Sequence, residues 1–457
     1  MLSYYCSSAL LPDGWASDVL LSVDAESGLI TDVVTGCSEA QKAGAACLEG
    51  PVLPGMPNLH SHVFQIGMAG FAERSAPKGS QDDFWQWRDC MYRLAGSMET
   101  ETLAALAELT FVEMLEGGFT SVAEFHYVHR GPGSEPLERC QALIDTAAGT
   151  GIGMTLLPVF YAQSGFGAKP PNEGQQPFVH DLDSYAKLIS DLDGRVRLGV
   201  APHSLRAVTP DQLEGLITLA ADRPIHIHIA EQTAEVEDCI AHHGARPVQW
   251  LLDSAPVGPG WCLIHATHMT EEETRAAAAS GAVAGLCPIT EANLGDGLFN
   301  MQEWLQAGGA FGVGSDSNIE LTAPGELRLL DYGQRLTRRR RNLLPPADTA
   351  SADWLWSSAC AGGAQALGQP VGRIAVGHRC DLVTLSSRRG LDLTATSPSD
   401  LLSGLIYTGA GAHQVETVIT AGQKQVEAGQ HRLRQETDFT LRTTEAITKA
   451  QKVMQRL

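Results

Sequence analysis

Histidines fall in pairs whose spacing suits a metal ion. In His60-Ser61-His62 two imidazoles sit two residues apart, so on an extended strand both project from one face and can reach the same ion. His226 and His228 repeat that spacing in PIHIHIAE, and Glu231 follows just beyond them. His265 and His268 come next in LIHATH, and Asp316 adds a carboxylate in GVGSDS. A nitrogen-rich set with one carboxylate suits zinc, iron or another divalent transition ion better than calcium or magnesium, which prefer oxygen. Such an ion lowers the pKa of its water from about 15.7 to about 7 and so makes hydroxide at neutral pH. The chemistry to expect is metal-assisted hydrolysis.

These residues need elements that bring them together. Each group ends a short apolar run, and eight such runs recur: VLPGMPNLHSH, TSVAEFHY, GMTLLPVFY, VRLGVAPHS, PIHIHIAE, CLIHATH, AVAGLCPIT and FGVGSDS. Helix-patterned stretches such as ETLAALAELTFVEMLEGG and TEEETRAAAASG separate them. Strands alternating with helices imply parallel pairing and right-handed crossovers. Eight units predict an α/β chain built on a (β/α)8 barrel, with a doubly wound open sheet as the rival arrangement. In such a barrel the active site lies at the C-terminal ends of the strands, where the histidines and carboxylates collect. The first fifty residues and the stretch after about 370 show short β runs instead. A small β-sandwich-like domain formed from both chain ends is therefore expected. The predicted divisions are 1–50, 51–368 for the barrel and 369–457, with TLRTTEAITKAQKVMQRL as a surface helix.

Composition narrows the partners. Of 457 residues, 53 are acidic and 32 are Lys or Arg, a net charge of −21, which disfavours non-specific nucleic-acid binding. No apolar run reaches the roughly 18 residues of a membrane span. The opening MLSYYCSSALLPDGW lacks the basic start and long apolar core of a secretion signal. The 10 cysteines are scattered without a Cys-x-x-Cys pair, which argues against a thiolate zinc site and a disulfide framework. A cytoplasmic protein with reduced thiols is expected.

The segments LPGMPNLHSH, HIHIAE, LIHATH and GVGSDS resemble the metal-site motifs of the amidohydrolase superfamily, and GRIAVGHRCDLVTL resembles the stretch where its chains re-enter the small domain. The resemblance spans nearly the whole chain. It implies that His60, His62, His228 and Asp316 hold the metal, zinc by family expectation, with Glu231 and His265 beside the reacting water. It leaves His226 one layer deeper, as a packed residue. The fourth strand reads APHS, with His203 where two-metal members often carry a modified lysine, which implies a single-metal site.

Longer blocks, among them HSHVFQIGMAG, FWQWRDCMYRL, SVAEFHYVH, APHSLRAV, HIHIAEQTAEVEDC and SDSNIEL, resemble the formimidoylglutamate deiminase family within that superfamily. This implies hydrolysis of N-formimino-L-glutamate to N-formyl-L-glutamate and ammonia. In that reaction Asp316 is expected to accept the water's proton, His265 to steady the hydroxide and Glu231 to protonate the imino nitrogen. It carries substrate binding onto Gln65, Arg88, Tyr127, His203 and Arg206, and implies a homodimer, with the region around Arg88 near the partner subunit. Arginine suits a substrate with two carboxylates because its planar fork matches them. The alternative is another single-metal deaminase of the superfamily acting on a purine, pterin or triazine ring. Arg338 to Arg341 read as a solvated helix end, His242-His243 as a helix C-terminus and Cys287 as barrel packing.

Overall fold

The computed structural model describes residues 1–71, 73, 84–386, 396–409 and 414–455, with the backbone alone at 84–86. Its centre is a ring of parallel strands. They are Met56–Ser61, Phe119–His126, Gly153–Phe160, a broken fourth strand (Arg197–Leu198 and Ala201–Pro202), Ile225–Ile229, Trp261–His265, Val283–Leu286 and Ala310–Val313. Nearly every residue in them is buried, as expected of parallel strands covered on both faces.

Continuous pairing joins strands one to four and strands five to eight. Single bridges close the two seams. Val200 pairs with Ile225 and Ser204 with His228 at one seam; Ser61 pairs with Asp316 at the other. The second closure matters most for function. His62 donates its N–H to the Asp316 carbonyl at 2.9 Å, and Asp316 donates to the His60 carbonyl at 3.0 Å. A Cβ on Gly314 would stand 2.8 Å from the His60 carbonyl oxygen, so only glycine lets the eighth strand approach the first this closely.

The apolar run VLPGMPNLHSH does not remain one strand. Val52–Pro54 joins a terminal sheet, Met56–Ser61 enters the barrel, and Gly55 between them donates its N–H to Asp381 at 2.9 Å. Among the described residues the terminal sheet has nine strands drawn from both chain ends, Leu2–Leu11 to Val52–Pro54 on one side and Leu382–Leu385 to Gln430–His431 on the other. It surrounds its own apolar core of Cys6, Val19, Leu21, Leu382 and Ile419 among others. Strand Leu2–Leu11 escaped the sequence reading, although Pro12-Asp13-Gly14 is a strong turn signal and joins it to Gly14–Val23 as a hairpin.

The helix Thr437–Met454 is less superficial than expected. Phe439, Thr443, Ala446, Ala450 and Met454 form one buried stripe. It packs on the helix Thr100–Glu116 and the turn Val63–Met68, which follow the first barrel strand. Among the described residues no helix is long and apolar enough to cross a membrane.

Candidate metal centre and active site

Three imidazoles converge at the C-terminal mouth of the barrel. The His60 Nε2 lies 3.1 Å from His62 Nε2 and 3.0 Å from His228 Nε2. Asp316 Oδ1 lies 3.2 Å from His62 Nε2 and 3.6 Å from His60 Nε2. The protons are held elsewhere: His62 Nδ1 donates to the Phe125 carbonyl at 2.9 Å and His228 Nδ1 to the His203 carbonyl at 3.0 Å. Their Nε2 atoms therefore present lone pairs. Burial lowers His62 to about 3 and drives His60 and His228 well below the ordinary value, so all three rings are neutral. His62 and His228 thus both aim a lone pair at the space beside His60 Nε2. Neutral imidazole with carboxylate is the donor set of a divalent transition metal.

The backbone is strained where these groups are presented. Ala230, His265, Ala266, Asp316 and Asn318 all have positive φ, between 47° and 65°. They lie at the ends of strands five, six and eight, where strain that the surrounding structure over-determines is commonly stored. Hydrogen bonds hold the eighth-strand turn: Asn58 Nδ2 donates to Ser315 Oγ at 2.7 Å, and Asn318 Nδ2 donates to the His62 carbonyl at 2.9 Å.

Glu231 and His265 stand beside this cluster. His265 Nε2 lies 3.8 Å from Glu231 Oε1 and 3.8 Å from Asp316 Oδ2. Burial alone would lower His265, but Glu231, the hydrogen bond to Glu291 and Asp316 outweigh it and push it up to about 10. Burial pushes Asp316 up to about 7 against the pull of His265.

A cavity opens over the cluster. Its walls include His62, His228, Glu231, His265 and Asp316, together with all five residues expected to bind substrate: Gln65, Arg88, Tyr127, His203 and Arg206. Gln65 Nε2 donates to the Tyr127 hydroxyl at 2.8 Å. His203 has two parts to play: its ring lines the cavity while its carbonyl holds His228. Burial opposes the Arg206 charge, but Glu235 and its neighbours raise its pKa above the ordinary value.

Some of the neighbourhood was not anticipated. Trp87, Tyr92, Tyr161 and Phe178 also line the cavity. Tyr161 ends the third apolar run, a position that could have flagged it; Phe178 lies on the short helical turn Glu173–Phe178 and carries no local signal. Glu291 bonds His265 and went unnoticed, although it stands four residues after the end of the seventh strand's GLC.

Glu124 was also missed. It is fully buried, and Val63 N–H donates to its two oxygens at 3.0 and 3.2 Å. Burial pushes its carboxyl up to about 8, against the pull of these hydrogen bonds. The folded value exceeds the unfolded value of about 4.3, so the stability contributed by the protonated form is complete below that pH and is lost as pH rises through about 8. Glu124→Gln, neutral throughout, should therefore gain Tm relative to the parent as pH rises from 5 to 9. A Tm difference independent of pH would show that Glu124 ionises without cost.

The remaining sequence features fall outside the cavity wall. His226 Nε2 is bonded to the Ala366 carbonyl at 2.8 Å, a packed residue below the site. His268 does not line the cavity. His242 and His243 form the last turn of a helix ended by Gly244. Arg338 ends the helix Ala323–Arg338 and pairs with Glu303 at 3.1 Å. Cys287 is buried with ligand atoms of His265 and Asp316 within 4.8 Å, and burial drives its thiol well above the ordinary value, so it stays protonated. His126, His129 and Cys140 form a second buried group with ligand atoms within 4.8 Å, but the Arg139 guanidinium lies near His126 and opposes a dication there.

The Amidohydrolase family model matches residues 52–424. Formimidoylglutamate deiminase of Pseudomonas aeruginosa is 44% identical over 442 residues, covering 94% of this chain and 96% of that protein. A 5-methylthioadenosine/S-adenosylhomocysteine deaminase of Natronomonas pharaonis is 28% identical over 411 residues, covering 88% of this chain and 87% of that one. Among solved structures, an amidohydrolase from Brucella melitensis superposes with a TM-score of 0.89 at 44% identity, covering 98% of this chain and 100% of that one. Atrazine chlorohydrolase from Arthrobacter aurescens, solved with zinc, gives a TM-score of 0.81 at 23% identity, covering 98% of this chain and 100% of that one, a likeness of fold.

Proposed function

The chain belongs to the amidohydrolase family, and on that premise we propose that it hydrolyses N-formimino-L-glutamate to N-formyl-L-glutamate and ammonia. The observation that carries the substrate is the polarity of the cavity. Arg88 and Arg206 stand in its wall together with a histidine and carboxylate cluster. The substrate has the matching polarity, with two carboxylates and one amidine.

His60, His62, His228 and Asp316 would hold one divalent metal, which we assign as zinc. When bound, it supplies hydroxide at neutral pH by lowering the pKa of a water. Asp316 takes up the proton of that water at its Oδ2, the oxygen facing His265. His265 hydrogen-bonds the attacking oxygen through Nε2 and fixes its approach to the formimino carbon. Glu231 delivers a proton to the imino nitrogen as the C–O bond forms. The carbon becomes tetrahedral; the proton held by Asp316 passes to the departing nitrogen, the hydroxyl proton returns to Glu231, and the C–N bond breaks as the formyl C=O forms, releasing ammonia and restoring both carboxyl groups. Arg88, Arg206, Gln65, Tyr127 and His203 hold the substrate's carboxylates and backbone. A hydrogen bond to a charged group is worth about 1.5–3 kcal/mol. Arg206→Gln should therefore raise KM roughly 10- to 100-fold and change kcat little, as read from steady-state kinetics. A loss confined to kcat would remove Arg206 from substrate binding.

A second reading deserves a test because Trp87, Tyr92, Tyr127, Tyr161 and Phe178 could stack on a purine, pterin or triazine ring. An aromatic ring has little use for two arginines, which favours the first reading. The deciding experiment is ammonia release by metal-loaded protein from N-formimino-L-glutamate, guanine and adenosine, beside a chelator-stripped control. Release from the formimino substrate alone supports the proposal; release only from a ring substrate overturns it. The same reading divides the chain into a barrel from Met56 to about 368 and a two-part β-domain that takes in Val52–Pro54, and makes the working form a cytoplasmic homodimer.

A further inference from the structure

The segment after the seventh strand supplies no metal ligand in the proposed set, yet it touches both reacting groups' surroundings. Glu291, on the helix Pro288–Leu294, is buried. Its Oε1 accepts the Cys287 backbone N–H at 2.9 Å and lies 3.2 Å from His265 Nδ1. Further along, Asp296 donates its N–H to the Glu291 carbonyl at 2.9 Å and accepts a hydrogen bond from Gln232, the neighbour of Glu231. One stretch of chain therefore braces the ends of strands five and six.

We propose that Glu291 is a positioning residue that acts through His265. A carboxylate on one ring nitrogen of a histidine fixes the ring's orientation and keeps the proton on that nitrogen. Here the fixed nitrogen is Nδ1, so Nε2 is turned toward Glu231 and Asp316, each 3.8 Å away. The bracing is needed because His265 itself sits at φ 65°, a conformation that β-strand pairing does not supply. The Cys287 N–H fixes the carboxylate in turn, so the alignment passes from backbone to Glu291 to His265.

The proposal rests on the catalytic part assigned to His265, and its test separates the two. In metal-loaded enzyme Glu291→Ala should lower kcat about 10- to 100-fold with KM within about 3-fold and metal content unchanged. Glu291→Gln, which keeps an oxygen at the same place, should recover most of that loss. In a His265→Ala background neither substitution should cost more than about 3-fold, because the group they position is gone. An equal loss in both backgrounds means a structural role and overturns the proposal. Independently, ¹⁵N-histidine labelling should show an Nδ1–H signal that disappears in His265→Ala and in Glu291→Ala. A His265 whose Nδ1 carries no proton overturns it too. If the parent enzyme releases no ammonia from N-formimino-L-glutamate, the substrate reading fails, whereas the labelling experiment needs no substrate and still decides Glu291.

Discussion

Replacing Glu231 with glutamine should lower kcat by 10²- to 10⁴-fold and leave KM within a few-fold of the parent value. The magnitude is that of general acid-base assistance by a positioned side chain. Glutamine keeps the shape and the hydrogen-bonding oxygen but cannot pass a proton. Glu231 is buried in the cavity wall, its backbone N–H is held by Glu235 at 3.1 Å, and Ala230 before it adopts φ 50°. The side chain is thus aimed by backbone geometry, and glutamine should occupy the same place. Ground-state contacts survive, so binding should survive with them. Steady-state kinetics of the metal-loaded variant is the measurement. A variant that retains kcat and loses KM would make Glu231 a substrate-binding residue and move the proton donor elsewhere.

Stripping the metal should abolish turnover, and zinc should restore it. The same treatment should lower Tm, because an ion that binds only the folded protein stabilises it by about 4 kcal/mol at a thousand times its Kd. The loss follows from the arrangement of His60, His62 and His228, whose Nε2 atoms crowd within 3.0 to 3.1 Å of His60 Nε2. Only the folded chain brings these neutral rings to one point, so a cation they hold stabilises the fold. His228→Ala should therefore purify with little metal and no activity, yet lose less Tm on chelation than the parent does. Metal analysis and thermal melts of the two proteins, with and without chelator, check this. Full activity in a metal-free preparation would overturn both the ligand set and the hydrolytic mechanism.

Several features were readable before any fold was known. The pairing of His60 with His62 depends only on the two-residue period of a strand, which a short segment enforces by itself. The eight apolar runs and their helical partners announce a parallel barrel for the same reason, since burial on both faces makes nearly continuous apolar strands. The order of His60, His62, His226 or His228, Glu231, His265 and Asp316 along those strand ends points to a metal-assisted centre. It could not distinguish His228 from His226 without the family resemblance, because both point to one face. The fold separates them by depth: His226 reaches the Ala366 carbonyl, and His228 reaches the mouth.

What lay beyond the sequence depends on contacts between distant segments. Val52–Pro54 and Met56–Ser61 read as one run, yet they belong to different sheets, because Gly55 is drawn to Asp381. Glu291 looks like any helical glutamate until the sixth and seventh strands pair and bring His265 against it. Tyr161 and Phe178 become cavity walls only when their loops fold over the strand ends. Local periodicity is a property of a few consecutive residues, so which residues share a face, and the chemistry they carry, can be read from their order alone. The meeting of Asp316 with His60 across 256 residues is set by the hydrogen-bond register in which the ring closes, and that register is decided by the packing of the whole barrel.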